Sequence, residues 1–259
     1  MVGVSLRHAG EELLGQRDGV AAYALQGATM GIPFLHPWAN RVTTPGLPGD
    51  VPRDEHGLGI HGVLPHVWRV RRAGTTGVHA VLDFPAHPAF PYEHRVEHRI
   101  GIDPRRLTIE TLLTATGDVA VPVSFGFHPY LRLPGEPRED WVVALPRRRR
   151  LLTDRLGIPT GERVAEVAEV KRLRDRTFDD GYADLGPRPR FAVGGGGRRI
   201  TVELGAGYNV AQVYAPADDD VICFEPMTAP TNALVSGKGL RTVAPGATFR
   251  AAFAVAVDG

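Results

Sequence analysis

Glu225 closes a strongly apolar run, Val221 to Phe224, and Pro226 follows it at once. A carboxylate in such a place is costly unless it is paired or used, and apolar surroundings raise its pKa toward neutrality. His128 sits in PVSFGFHPYL between Gly126 and Pro129, residues that free and fix the backbone where an imidazole has to be aimed. Asn40 and Arg41, in HPWANRV, bring an amide and a five-donor fork, which suit a ligand rich in hydroxyls. His61 precedes Gly62 in IHG, and glycine lets a ligand or another backbone come close. Asp179 and Asp180, adjacent in RTFDDGYADL, supply an acceptor. Together these are a base (Glu225), an acid (His128), neutral and cationic donors, and a further acceptor. That set suits proton transfer on a polar small molecule, with no cofactor.

Each residue also has an ordinary reading by itself. His128 reads as a satisfied core histidine, Glu225 as half of a structural salt bridge, Arg41 as a surface arginine and Asp179-Asp180 as a turn. Two more His-Pro pairs compete with His128-Pro129. His36-Pro37 lies four residues before Asn40 and is expected to shape the cleft. His87-Pro88, in FPAHPAF, has no partner motif and reads as a turn. His56, His61 and His66 are spaced by five, wider than single-segment metal pairs, and no second ligand cluster completes a tetrahedral set, so no metal is expected. GGGG at residues 194–197 lacks the Gly-Lys-Ser/Thr ending of a phosphate loop and is expected to close a hairpin between FAV and RRITVEL. No serine lies in a Gly-x-Ser-x-Gly elbow, and no dinucleotide fingerprint is present. Cys223, the single cysteine, reads as core and cannot form an internal disulfide.

These side chains have to be positioned by short strands. Thirty-one glycines and 22 prolines punctuate the 259 residues at short intervals, with period-two alternation between them. In RLTIETLLTA, Leu107, Ile109, Thr111 and Leu113 share a face. In ATFRAAFAVAV, Phe249, Ala251, Phe253, Val255 and Val257 do so. HAVLDF and TVELGAGYNVAQVY also read as strands. The pattern predicts an all-β chain built as a large antiparallel sandwich or barrel. GERVAEVAEVKRL is the best helical candidate, with Val164, Val167, Ala168 and Lys171 at helical spacing. RRRR at residues 147–150 reads as a solvated edge or loop, with anion contact the alternative. There is no repeat and no linker, so residues 1–259 read as a single domain. A net charge of +1 gives no global attraction to nucleic acid or membrane. The N-terminus lacks an apolar signal region and no run spans a bilayer, so the expected location is the cytoplasm. Oligomeric state is not legible.

PWANRV, IHG, FGFHPYL, FDDGYADL, FEPMTAPTNAL and VAPG, in this order and spacing, resemble the aldose 1-epimerase (galactose mutarotase) family. The likeness runs from about residue 25 to the final strand. It implies a large antiparallel β-sandwich, the mutarotase-like supersandwich, binding a monosaccharide in an open cleft across one sheet. It also implies an isomerase that interconverts α and β anomers of a free hexose such as glucose or galactose, with no cofactor. By position, the family's general acid falls on His128 and its general base on Glu225. Arg41 and His61 match ligand-binding positions, with Asn40 and Trp38 beside them. The sugar-binding aspartate falls on Asp179, with Asp180 the alternative. The resemblance leaves two rivals, a hexose-6-phosphate 1-epimerase using the arginines near 69–72 and 147–150, and a sugar-binding protein without turnover. His36 and the final strand depart from the family's pattern, which bears on sugar preference.

Overall fold

The computed structural model describes residues 1–16, 30–63 and 67–259. Two nine-stranded antiparallel sheets dominate the described residues. The first runs Val2–Gly3, Ile32–Leu35, Gly126–Phe127, Ile222–Met227, Val210–Ala215, Phe178–Ala183, Arg148–Thr153 and Pro159–Glu166, with Tyr130–Leu131 also paired to Ile222–Met227. The second runs Glu169–Arg172, Val142–Leu145, Arg190–Gly195, Arg198–Leu204, Thr248–Asp258, Arg106–Ala115, His94–Asp103, Gly77–Phe84 and Arg69–Gly74. Among the described residues no helix is long and apolar enough to cross a membrane.

The core lies between the sheets, where alternate side chains of each strand meet. Phe127 faces Phe253 with ring centroids 4.9 Å apart, and Phe224 faces Phe191 at 5.8 Å. The two alternating runs read from the sequence are central strands of the second sheet. Ile109, Thr111, Leu113, Ala251, Phe253, Val255 and Val257 are all buried. The GGGG segment closes the hairpin of Arg190–Gly195 with Arg198–Leu204, as expected. His87 lies in a tight turn whose backbone exchanges hydrogen bonds with Phe90.

Three expectations are overturned. GERVAEVAEVKRL is not helical but forms Pro159–Glu166 in one sheet and Glu169–Arg172 in the other. Its valines at helical spacing are exposed, Val164 by 41% and Val167 by 80%, so no apolar stripe exists to be buried by a helix. The arginine run is not a solvated edge or loop as a whole, because Arg148–Thr153 lies inside the first sheet, although Arg147 ahead of the strand and Arg149 on it are exposed. Arg148 is buried and paired with Glu166 at 2.6 Å and Glu169 at 3.2 Å, with its guanidinium 5.0 Å from the Tyr182 ring centre. His36 does not shape the cleft but turns into the core. Its Nε2 lies 2.7 Å from Nε2 of His94, and its ring stacks on Phe34.

Candidate active site

Alternation along the first sheet sends one set of side chains into the core and the other to the outer face. On Ile222–Met227, Phe224 packs inward, so Glu225 points outward. Its register partner on the neighbouring strand is Gln212, and Cys223 pairs with Tyr214 and Tyr130. Phe127 likewise faces the core, and His128 follows it on the outer face. The Arg41–Val42 and Gly59–Ile60 pair forms a rim over this face, carrying Arg41 and His61. The result is a cavity of about 340 Å³ lined by Asn40, Arg41, Glu55, His61, His128, Tyr130, Asp179, Tyr214, Asp219 and Glu225 among others. Residues up to 185 positions apart in sequence, Asn40 and Glu225, thus share one wall.

The centre of the cavity is the pair His128 and Glu225, with Nε2 and Oε1 3.4 Å apart. The side chains are 7% and 2% exposed. His128 stacks on Tyr130 at 4.1 Å with the rings 5° from parallel, and Tyr214 and His61 meet it edge-on. Burial pushes Glu225 well above the usual carboxylate range. Asp179 adds to that shift, and Arg41 opposes it without prevailing. Burial pushes His128 well below 6.5, and His61 adds to the effect. The favoured form is therefore the neutral pair, Glu225 protonated and His128 unprotonated. This differs from a standing imidazolium beside a carboxylate. Transfer of the shared proton across 3.4 Å generates that ion pair without uptake from solvent. Glu225 Oε2 and His128 Nδ1 are buried without a hydrogen-bond partner among the described residues, so the pair has capacity to spare for a ligand.

His61 is fixed as a neutral donor. Its Nδ1 accepts the backbone N–H of Asn40 at 3.2 Å, which assigns the remaining proton to Nε2. Burial, with the nearby Arg41 charge, lowers its pKa to about 4. Asn40 and His61 both hold left-handed backbone conformations, with φ of 60°. The Asn40 side-chain oxygen accepts the N–H of Arg41 at 2.8 Å, which fixes the amide and offers its NH₂ as a donor. Gly62 is required here for backbone approach rather than ligand approach. Its φ is +88°, and a Cβ would fall 2.0 Å from the carbonyl oxygen of His36.

Arg41 is held by a residue that the sequence did not single out. Its Nε donates to Asp54 Oδ2 at 2.6 Å, and the Asp54 side chain is 1% exposed. Asp54 Oδ1 accepts the backbone N–H groups of Leu58 and His56, so both oxygens are occupied. Burial alone would raise the Asp54 pKa, but the Arg41 hydrogen bond and those backbone donors hold it below the usual range. Burial alone would lower Arg41, and the Asp54 hydrogen bond with the charges of Asp179 and Glu55 raises it instead. Asn232 ties the rim down by donating its N–H to Arg41 O at 2.9 Å and accepting Thr43 N–H at 2.9 Å. No local signal marked Asp54. Asn232 lies in the FEPMTAPTNAL segment, where it read only as part of a motif.

The structure separates the adjacent aspartates. Asp179 faces the cleft, 3.6 Å from Arg41 Nη1, and its Oδ1 accepts Gln212 Nε2–H at 2.7 Å. Asp180 points to the opposite face, 3.6 Å from Arg150 and beside Tyr182. Of the two spaced histidines among the described residues, His61 enters the cleft. His56 is on the surface beside Glu55, and His66 lies outside the described residues. No group of three or more potential metal ligands is found among the described residues.

A buried histidine–glutamate pair faces outward on an antiparallel sheet of a β-sandwich, ringed by hydrogen-bonding groups. The chain belongs to the aldose 1-epimerase family, whose model matches residues 4–256. The protein YihR of Escherichia coli (strain K12) is 23% identical over 264 residues, covering 91% of this chain and 86% of that protein. Among solved structures, Slr1438 from Synechocystis sp. PCC 6803 is similar at a TM-score of 0.75 and 24% identity, covering 96% of this chain and 86% of that one. A galactose mutarotase-like protein from Clostridium acetobutylicum matches at a TM-score of 0.79 and 16% identity, covering 99% and 89%. These likenesses show the galactose mutarotase-like fold, and the family is one of carbohydrate epimerases.

Proposed function

We propose that the protein is an aldose 1-epimerase that interconverts the α and β anomers of a free, uncharged hexose by general acid–base ring opening. The observation that carries this reading is the buried Glu225–His128 pair, 3.4 Å apart in a polar cavity of about 340 Å³. That volume is at the small end of the ~300–1,000 Å³ usual for ligand pockets, as suits one sugar ring. Opening a pyranose removes a proton from the anomeric hydroxyl and delivers one to the ring oxygen. The net proton change is zero, which matches a pair holding one transferable proton. In its ionic form, Glu225 takes the hydroxyl proton while His128 protonates the ring oxygen. Each such group typically contributes roughly 10²–10⁴-fold. Rotation about C1–C2 presents the other carbonyl face, and the same groups close the ring with roles reversed. Arg41 and the Nε2–H of His61 donate to sugar oxygens, and Asp179 accepts from a hydroxyl.

A free sugar is favoured over a sugar phosphate by the charge of the site. Glu55, Asp179 and Asp219 line the cavity, against the single guanidinium of Arg41 among the described lining residues. Neither arginine-rich segment reaches it. Arg69–Gly74 is the far edge of the second sheet, and Arg148 and Arg150 face the side where Asp180 and Tyr182 lie. The test is anomer exchange of α-glucose, α-galactose and glucose 6-phosphate, followed by polarimetry or NMR. The free hexoses are expected to turn over faster than the phosphate, and Glu225→Gln and His128→Ala are each expected to lose most of the rate. Wild-type rates in both variants would refute the assignment, and sugar binding without exchange would point to a protein that binds but does not turn over.

A further inference from the structure

A second cavity, of about 90 Å³, adjoins the cleft on the same face of the sheet. The two share Arg41 and Asp179, whose 3.6 Å ion pair stands between them. The second cavity has a different character. Val210 and Met227 line it, both buried and joined to Leu35 and Ala39 in an apolar cluster separate from the main core. Leu151 and Pro159 add apolar wall, and Thr153 and Thr231 add hydroxyls. Gly181 keeps the space open, since a Cβ there would lie 3.2 Å from Gln212 Oε1 and 3.5 Å from Leu151 Cδ1. Gln212 is committed to Asp179 through Nε2, which leaves Oε1 as an acceptor on the Gly181 side.

A volume of about 90 Å³, against about 340 Å³ for the main cleft, suits a few heavy atoms rather than a second sugar ring. Its lining asks for a group with an N–H or O–H, a carbonyl and a methyl. The N–H meets Gln212 Oε1, the carbonyl meets a threonine hydroxyl, and the methyl meets Leu151, Pro159 and Met227. The Arg41–Asp179 ion pair on the border favours neither sign of charge, which suits an uncharged group.

We propose that this cavity is a substituent subsite, and that the substrates include hexoses bearing a small uncharged acyl or alkyl group, an acetamido group above all, on the carbon held beside Asp179 and Arg41. The proposal rests on the reading that the main cleft binds a sugar ring. It is tested by measuring anomer exchange for glucose, galactose, N-acetylglucosamine and N-acetylgalactosamine with the wild type, Thr153→Tyr and Leu151→Trp. Thr153 is an exposed strand residue where an aromatic side chain is well tolerated, so Thr153→Tyr is expected to fold while filling the cavity. The wild type is expected to accept at least one N-acetyl sugar as well as its parent hexose. The ratio of kcat/KM for the two is expected to fall roughly tenfold or more in the filled variants, the usual effect of a misfitted small apolar group. An unchanged ratio in folded variants, or no turnover of either N-acetyl sugar alongside turnover of the hexoses, overturns the subsite. Should no sugar exchange at all, the epimerase reading fails by itself. The subsite is then judged by calorimetric binding of N-acetylglucosamine against glucose. Tighter binding that Thr153→Tyr abolishes supports it, and equal binding overturns it.

Discussion

Asp54→Asn isolates the charge that orients Arg41. The amide oxygen of the replacement keeps an acceptor for the backbone N–H groups of Leu58 and His56, so the turn can persist. What is lost is the carboxylate oxygen 2.6 Å from Arg41 Nε, replaced by an NH₂ that cannot accept a proton. A hydrogen bond between charged groups is worth about 1.5–3 kcal/mol, and about 1.4 kcal/mol is tenfold, so the ceiling on the loss is on the order of 10- to 100-fold in kcat/KM. The Arg41 side chain is only 12% exposed, and Asp179 and Glu55 remain to compete for its guanidinium. Its expected movement is toward them, away from the sugar oxygens. The assay is anomer exchange by NMR, with thermal unfolding to show that the rim still folds. A double cycle with Arg41→Lys should be non-additive, because both changes remove the same oriented fork. A folded Asp54→Asn protein within twofold of wild type would show that Arg41 needs no such anchor, and the reasoning would fail.

Three other outcomes follow from the same physics. The pair holds one proton between the lowered His128 and raised Glu225 ranges, so kcat/KM should stay level through pH 6.5, where an ordinary histidine titrates. An acid limb centred near pH 6.5 and removed by His128→Ala would contradict the neutral-pair assignment. His94 is buried against His36 with a pKa lowered to about 4 by burial, so the fold favours its neutral form. Its stabilising contribution is complete above about pH 6.5 and is lost as pH falls toward 4. The His94 share of the loss between pH 7 and pH 5 should be about 2 kcal/mol, read as the difference in the pH dependence of urea midpoints between the wild type and His94→Phe. Arg148→Ala removes a buried partner of Glu166 and Glu169 on the face away from the cleft, while Arg150 still pairs with Glu166 and Arg176 with Glu169; it should destabilise the fold by about 2 kcal/mol and leave KM near wild type. A rise in KM or a drop in kcat without destabilisation would assign Arg148 to function instead.

The sequence by itself determined the strand class and the distant partners. Period-two alternation in RLTIETLLTA and ATFRAAFAVAV is a local consequence of strand geometry, so the burial of Ile109, Leu113 and Phe253 could be read without coordinates. Ordered motifs brought Glu225, His128, Arg41, His61 and Asp179 onto one list, and all of them line one cavity. Other features were decided only by the pairing of strands far apart in the chain. Adjacent residues on a strand face opposite ways, so Asp179 and Asp180 were equivalent until pairing with Val210–Ala215 set which one looks into the cleft. GERVAEVAEVKRL carried a helical spacing that meant nothing once its valines lay on exposed sheet edges. Arg148 looked like surface because burial of a charge depends on Glu166 and Glu169 meeting it in space. Asp54 carried no motif, since its role comes from a contact with Arg41 across 13 residues. The upward push on Glu225 and the downward push on His128 have the same tertiary cause. Removing water from around the pair penalises charge on both members, and only the assembled sheet and its rim remove that water.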